Sequence, residues 1–561
     1  MQYDFSSNPQ VNRTLNEVVD TISKMAEDQL KHIQQLTKIG QSLSSETDLD
    51  KIFDMILDEG VAFTKADGAT IYKVNDDATA LDFELVYNAT LSTRQGGSHG
   101  KVDWPAVPLY DEDGNPKLSH IVSAVYHKKH SLVFDDVYEA KGYDISGTVR
   151  FDQSTNYRCK AMLTIPLKDH EDTVLGVIQF INPIDDDGLV TSFSPEHKAM
   201  LSSLASQAAI ALSNRRLIGS LEGLLMEFMR SIAGAIERKS KYSSAHITRV
   251  AQLTDMMAER INQDSQGSFA DVHFSDDELK EISMAGWMHD VGKIITPEFV
   301  MDKSTKLERI MDGIEIIIQR ITTMKTLLKY IRHKMDKAEY TVFCKEHFPA
   351  PMQEDPFLYL DQVAAFIRDL NIGAEFVSDE DIARMNEIAT INFRYEDISY
   401  FVLDESDVEN LSIRRGTLNP EELKIMRAHV SVTWEMLSKL SFPKKYKNVA
   451  FYAATHHEAL NGKGYPKGLD KDDLPLQSRM IAVADIFEAL TSADRPYKTP
   501  KSLSESLGIM ANMVKFGHLD KDLVDFFMDS GLYMQYAHEY MKPEQIDNPN
   551  ITEIKSKYQL G

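Results

Sequence analysis

Apolar residues along the start of the chain recur at helical spacing. Leu15, Val18, Val19, Ile22 and Met25 fall three or four apart in an otherwise polar stretch to about residue 43, which predicts a leader helix. Leu49, Ile52, Ile56 and Val61 predict a second, amphipathic helix. The period then shortens: residues 69–74, 81–87, 162–167 and 174–180 read as strands, alternating and rich in Val, Ile, Leu and aromatics. Ser194 as N-cap and Pro195 in the first turn open a long helix through Leu201, Leu204, Ala208, Ile210, Leu212, Leu217 and Leu221 toward Met226. From Leu217 onward the pattern is mostly helical. Between Lys303 and Arg415, Pro and Gly are scarce. There Ile310, Ile314, Ile317, Ile321, Met324, Leu328 and Ile331 predict a long helix with an apolar stripe, and a further helix opens at Ser378 with Asp381 in a variant of the capping box. This segment reads as a helical insertion that packs on its host or forms a dimer contact, with a lid over the active site as the alternative.

Composition narrows the class. At 561 residues the chain has room for two to four domains, and 43% hydrophobic with 26% charged residues is the balance of a globular protein. A net charge of −25 argues against nonspecific attraction to nucleic acid, so a phosphate-bearing substrate has to be held by local cations. The two cysteines, Cys159 and Cys344, exclude a disulfide framework and suit a reducing compartment. No signal peptide opens the sequence, and no apolar run reaches the roughly 18 residues of a membrane span, so the expectation is a cytoplasmic protein without membrane association.

Candidate chemistry comes from histidines and carboxylates, ligands that suit iron, manganese or zinc. His246 stands early in one helical stretch, His289 and Asp290 end another, and His429 lies on a helix capped by Asn419 with Glu422 three residues on. His456 and His457 end the helix from Val449, and Asp485 sits inside an apolar helical run, where a carboxylate is costly unless paired or metal-bound. Each residue alone has a duller reading as a surface or hydrogen-bonded group. Together they fit a metal site.

Two resemblances organise these observations. Residues 44–215, with the segment 151–158 leading into 161–166, resemble a GAF domain of the cyclic-nucleotide phosphodiesterase and cyclase subgroup. The resemblance implies a small-molecule pocket over the sheet, with a small molecule or cyclic nucleotide as its possible ligand. Asn182 and Phe193 match that subgroup's binding signature, whereas Pro183 and His197 depart from it. From about Leu217 to Tyr540 the chain resembles the HD-GYP phosphodiesterases. The matching motifs are His289-Asp290-Val291-Gly292-Lys293, then His456-His457-Glu458 through Gly464-Tyr465-Pro466, and Asp485 through Asp494-Arg495-Pro496-Tyr497-Lys498.

The second resemblance implies an all-helical domain with two divalent metal ions, iron or manganese, that hydrolyses cyclic di-GMP. It implies that His246, His289, Asp290 and Asp485 hold one metal, and that Asp290 bridges to a second completed by His429, His456 and His457. Tyr242 stands where three-metal relatives carry Glu, which favours two ions. Lys293 is expected against the scissile phosphate, with pairing to a neighbouring carboxylate as its alternative role. Arg495 and Lys498 are expected on the second phosphate, Tyr465 on the nucleotide, and Glu458 orienting the metal ligands. The expected organisation is a leader helix (1–43), a GAF sensor with an antiparallel sheet flanked by helices (44–215), an HD-GYP domain (216–303 and 411–545) interrupted by an insertion (304–410), and a tail (546–561). The expected activity is hydrolysis of cyclic di-GMP to pGpG or GMP by a homodimer. Alternatives are another cyclic dinucleotide such as 3′,3′-cGAMP, or a noncatalytic receptor or scaffold.

Overall fold

Strand-forming and helix-forming stretches segregate along the chain, and the computed structural model follows that division. It describes residues 8–46, 48–240, 245–373, 376–493 and 500–559, and falls into two units, Met1–Leu224 and Leu225–Gly561.

The first unit opens with α1 (Pro9–Ser45), capped by the Asn8 side chain, and α2 (Leu49–Thr64), capped by Asp48. Seven strands follow: β1 (Ala66–Val74), β2 (Ala80–Asn88), β3 (Thr93–Gly96), β4 (Val107–Pro108), β5 (Leu132–Phe134), β6 (Met162–Lys168) and β7 (Val174–Pro183). All pair antiparallel, in the order β3-β2-β1-β7-β6-β5 with β4 on β2. Helices α3 (Ile121–Lys128) and α4 (Ser146–Thr155) lie in the connection before β6, and α5 (Pro195–Glu237) follows β7. Ser194 caps α5 by accepting from His197 N–H at 3.0 Å.

Both faces of the sheet are covered, which is why β6 is apolar at nearly every position rather than alternating. Ile71, Leu163, Ile165 and Ile178 pack with Ile52, Phe53 and Ile56 of α2 and with Leu201, Leu204 and Ala208 of α5. On the opposite side Tyr72, Leu81 and Val177 pack with Val122 and Val125 of α3. Asn182 is buried and fully engaged: its Oδ1 accepts from the N–H groups of Lys160 and Ala161, and its Nδ2 donates to Tyr157 Oη and Arg158 O.

The second unit is built on α6 (His246–Asn262), α7 (Asp276–Met288), α8 (Glu298–Met301), and then an inserted segment. The insertion holds α9 (Ile314–Lys334), α10 (Lys337–His347), α11 (Ala350–Glu354), α12 (Pro356–Asn371), α13 (Asp379–Ala389) and α14 (Glu405–Leu411). The host resumes with α15 (Pro420–Ser438), α16 (Val449–Ala453), α17 (Leu476–Thr491), α18 (Leu503–Lys515), α19 (Lys521–Asp529), α20 (Leu532–Tyr540) and α21 (Ile551–Gln559). Reciprocal capping boxes start α7 (Ser275 with Glu278), α13 (Ser378 with Asp381) and α15 (Asn419 with Glu422).

The insertion has its own core, in which Ile317, Ile321, Met324, Leu328 and Ile331 of α9 meet Leu360, Val363 and Ile367 of α12. Two details depart from the pattern-based expectation. Ile310 lies outside α9 and is 98% exposed, because the chain bends at residues 309–311 before the helix begins. The insertion also carries a hairpin, β8 (Asn392–Tyr395) with β9 (Ile398–Phe401), turned by Glu396 and Asp397 at positive φ. Neither residue is Asn or Gly, so the turn carries little signal in sequence.

Candidate metal centre

Four helices and one turn converge on Asp290. Its carboxylate is 1% exposed and divides its oxygens between two groups of imidazoles. Oδ2 lies 3.2 Å from His246 Nε2 and 3.2 Å from His289 Nε2, whereas Oδ1 lies 3.4 Å from His429 Nε2 and 4.0 Å from His456 Nε2. Asp485 of α17 stands beside the cluster, 3.3 Å from His246 Nε2 and 3.9 Å from His457 Nδ1. Potential ligand atoms of His246, His289 and Asp290 lie within 4.8 Å of one another, and so do those of His429, His456 and His457. All seven histidine and aspartate positions singled out from the sequence are thus gathered in one place.

Local structure decides which nitrogen each ring presents. The Nδ1 atoms of His289, His429 and His456 sit 2.7, 2.5 and 2.7 Å from the carbonyls of Gly286, Met426 and Ala453, each three residues earlier. A carbonyl only accepts, so Nδ1 carries the proton and Nε2 keeps its lone pair for the interior. His246 is held differently, with Nδ1 on the carboxylate of Glu488, one turn after Asp485. Glu488 is buried at 1% exposure and also accepts from Arg249 Nε at 2.8 Å. Asp485 and Glu488 share a helix face, so the spacing of three inside an apolar run was the available signal for this second carboxylate.

The electrostatics follow from burial among opposed charges. Burial would raise Asp290, but Lys293 and the imidazoles around it hold its carboxyl well below the ordinary range. Burial, with Lys293 and His289 nearby, pushes His429 down against the pull of Asp290; His456 falls well below the usual imidazole range through burial and its His457 and His289 neighbours. Burial lowers His457 to about 4. His246 is the exception: burial opposes its charge, yet Glu488, Asp290 and Asp485 hold it well above the usual value.

These residues fit divalent-cation binding. His289 Nε2, Asp290 Oδ1, His429 Nε2 and His456 Nε2 are buried without a hydrogen-bond partner among the described residues. An unsatisfied buried polar atom costs about 1–3 kcal/mol, and four directed at one centre are what cation binding would relieve.

The other expected site residues divide. Lys293 Nζ lies 2.6 Å from Asp290 Oδ2, so in this structure it pairs with the carboxylate. Tyr465 stacks on His457 with ring centroids 4.9 Å apart, and Arg427 stands 5.1 Å from its ring centre. Arg495, Lys498 and Tyr242 lie outside the described residues. Glu458 does not touch the candidate ligands. Its oxygens accept from the backbone N–H groups of Lys467 and Leu469, so it fixes the loop that carries Tyr465. That corrects the role expected of it: the carboxylate that orients an imidazole is Glu488. His456 and His457 also lie in the turn after α16 rather than on its last residues.

Thr433, one turn beyond His429, was not legible in sequence. Its hydroxyl donates to His289 O at 3.1 Å and accepts from Gly292 N–H at 3.0 Å, pinning the His-Asp turn to α15. The approach is so close that a Cβ on Gly292 would lie 1.9 Å from His429 O. Gly464 is required for the same reason, since its Cβ would fall 2.3 Å from Ala459 N. Lys239, just past α5, donates to the carbonyls of Ile294 (2.5 Å) and Thr296 (2.6 Å), and Glu237 accepts from Thr248 N–H at 3.0 Å in the first turn of α6.

The GAF domain family matches residues 48–212, one HD domain family matches 244–389, and a second HD domain family matches 406–523. The chain is 40% identical over 98 residues to a cyclic di-GMP phosphodiesterase of Thermotoga maritima, covering 18% of this chain and 26% of that protein. It is 42% identical over 95 residues to a 3′3′-cGAMP-specific phosphodiesterase of Vibrio cholerae, covering 17% of this chain and 20% of that protein. The matches therefore span about a fifth to a quarter of these relatives. Among solved structures, the GAF domain from an Acinetobacter phosphoenolpyruvate-protein phosphotransferase is 14% identical with a TM-score of 0.24, covering 34% of this chain and 98% of that one. Among the described residues no helix is long and apolar enough to cross a membrane. The chain therefore carries a GAF domain in its first part and HD domains in its second, and over part of its length it is similar to cyclic-dinucleotide phosphodiesterases.

Proposed function

We propose that this protein is a divalent-metal-dependent phosphodiesterase of cyclic dinucleotides. The observation that carries the reading is the division of Asp290, each oxygen facing its own pair of imidazole Nε2 atoms, as a carboxylate shared between two cations requires. In this reading His246, His289, Asp290 and Asp485 hold one ion, and Asp290, His429, His456 and His457 hold the other. Bound there, two iron or manganese ions would supply a hydroxide nucleophile near neutral pH and a clamp on the phosphodiester. Lys293, now on Asp290, is within reach of a phosphate at the same centre and offsets charge that builds on it. Tyr465, held by its stack on His457 and by Arg427, offers a ring face to a nucleobase. Arg495 and Lys498 are assigned to the second phosphate by their place in the family motif.

Cyclic di-GMP is the substrate we favour. 3′,3′-cGAMP is the second reading, favoured by the similarity to the cGAMP-specific relative. The deciding experiment is anaerobic purification with metal analysis, followed by turnover of both dinucleotides and identification of the product as pGpG or GMP. Inertness toward both would overturn the enzymatic reading. Asp290→Ala should abolish turnover and lower metal content, and a variant retaining both would overturn the ligand assignment.

We assign residues 44–215 to a regulatory GAF sensor, 216–303 with 411–545 to the hydrolase, and 304–410 to the insertion. We further propose a parallel homodimer along α5, on which Leu217, Leu221, Leu224 and Phe228 are 53–64% exposed at heptad-like spacing. A monomer in sizing measurements at micromolar concentration would refute it.

A further inference from the structure

The first unit holds a cavity of about 470 Å³ that none of the site residues above explains. It opens at one end of the sheet, where β1 and β6 finish and β7 begins, rather than over a face of the sheet. Its walls are apolar: Phe53 of α2, Leu167 of β6, Leu175 of β7 and Leu212 of α5 line it, together with the rings of Tyr72 and Tyr126. Gly176 also lines it, and glycine is required there because a Cβ would lie 2.3 Å from Tyr72 O. A volume of this size falls within the range of about 300–1,000 Å³ that small-molecule sites occupy, and cores otherwise leave few voids larger than a water molecule.

The rim is chemically one-sided. Lys73, Arg215 and Arg216 line it, against a single carboxylate, Asp76. Lys73 is matched by Glu84 at 3.2 Å, whereas neither arginine has an ion-pair or hydrogen-bond partner among the described residues. Two adjacent guanidinium groups at the mouth of an apolar chamber are notable in a chain of net charge −25, where acidic partners are plentiful. An apolar body with one anionic end satisfies both halves: the body displaces water from the walls, and the head accepts charge-assisted hydrogen bonds from arginine.

We propose that this cavity is a ligand site of the first unit for an amphiphilic monoanion, an alkyl or aryl carboxylate, with its tail among Phe53, Leu167, Leu175 and Leu212 and its head on Arg215 and Arg216. The site is separate from the metal centre, and its occupancy is independent of whether that centre hydrolyses a dinucleotide.

The test is calorimetric titration of the full chain with sodium decanoate below its critical micelle concentration, with decyltrimethylammonium bromide as a probe of equal tail and opposite charge. The expected result is saturable binding of one decanoate per chain and no binding of the cation. Arg215→Gln with Arg216→Gln should weaken decanoate at least tenfold. Both side chains reach solvent, so the double variant should keep its circular dichroism and melting temperature. Leu175→Trp, which fills the chamber from within, should block decanoate while leaving the arginines in place. Absence of decanoate binding, equal binding of the cation, or undiminished binding to the double arginine variant would each overturn the proposal.

Discussion

Glu488→Gln isolates the role of a carboxylate that no recognised motif contains. The substitution keeps size and an acceptor oxygen, so His246 Nδ1 still has a partner, but the negative charge beside the ring is lost. Groups that orient metal ligands in this way typically contribute 10–100-fold to metal affinity or activity, or about 1.4–2.7 kcal/mol. Stability should fall as well, because Glu488 also pairs with Arg249, whose side chain is 14% exposed. Removing one partner of a buried ion pair costs about 3–5 kcal/mol, and the lower end applies here since Arg249 also donates to Ser492 Oγ at 3.3 Å. Chelator-competition titration with Mn²⁺ reads the first effect, and urea denaturation of the metal-free protein reads the second. Adding Arg249→Met removes the opposing charge, so the double variant should regain stability relative to Glu488→Gln without regaining metal affinity. A folded Glu488→Gln protein that binds Mn²⁺ as tightly as the parent would refute the claim that this charge acts on His246.

Three further outcomes follow from the geometry. Gly292→Ala should lower the melting temperature and the metal content together, because the added methyl meets His429 O at 1.9 Å and such overpacking costs about 1–3 kcal/mol or more; an unchanged melt and metal content would mean the turn has slack. Lys306 is 1% exposed, and burial lowers it from 10.5 to about 8. The folded state therefore binds fewer protons than the unfolded one between pH 8 and pH 10.5. Its penalty is full below pH 8 and vanishes as pH rises through 10.5, so Lys306→Met should stabilise by up to about 3 kcal/mol at pH 7 and by nothing near pH 11, as read by denaturant titration at both values. Lys239→Met should speed amide exchange across residues 293–296, where it binds the carbonyls of Lys293, Ile294 and Thr296, by the equivalent of about 0.3–2 kcal/mol, while Lys239→Arg retains protection; equal exchange in both variants would show the ammonium to be idle.

The sequence by itself determined the identities of the candidate ligands and the local frames that carry them. Periodicity located the helix that bears His429 and the capping box that starts it, and apolar runs located β1, β2, β6 and β7, because these depend on neighbours three or four residues away or on strict alternation. It also marked Asp485, since a carboxylate inside an apolar helix is conspicuous wherever the helix packs. Tertiary structure alone decided what each buried face is buried against. Asp290 faces two groups of imidazoles only because α6, α7, α15 and the turn after α16 deliver their rings to its two oxygens from positions up to 166 residues away from it. Glu488, unremarked in sequence, meets His246 and Arg249, while Glu458 meets the backbone of its own loop, for the same reason: a buried acid takes whichever donor the fold brings near. Gly292 and Gly464 read in sequence as parts of motifs, but the need for glycine at each is a backbone contact, visible only once the two segments touch. A chain's pattern encodes which side of an element avoids water, whereas distances between remote side chains arise only when those sides close on one another.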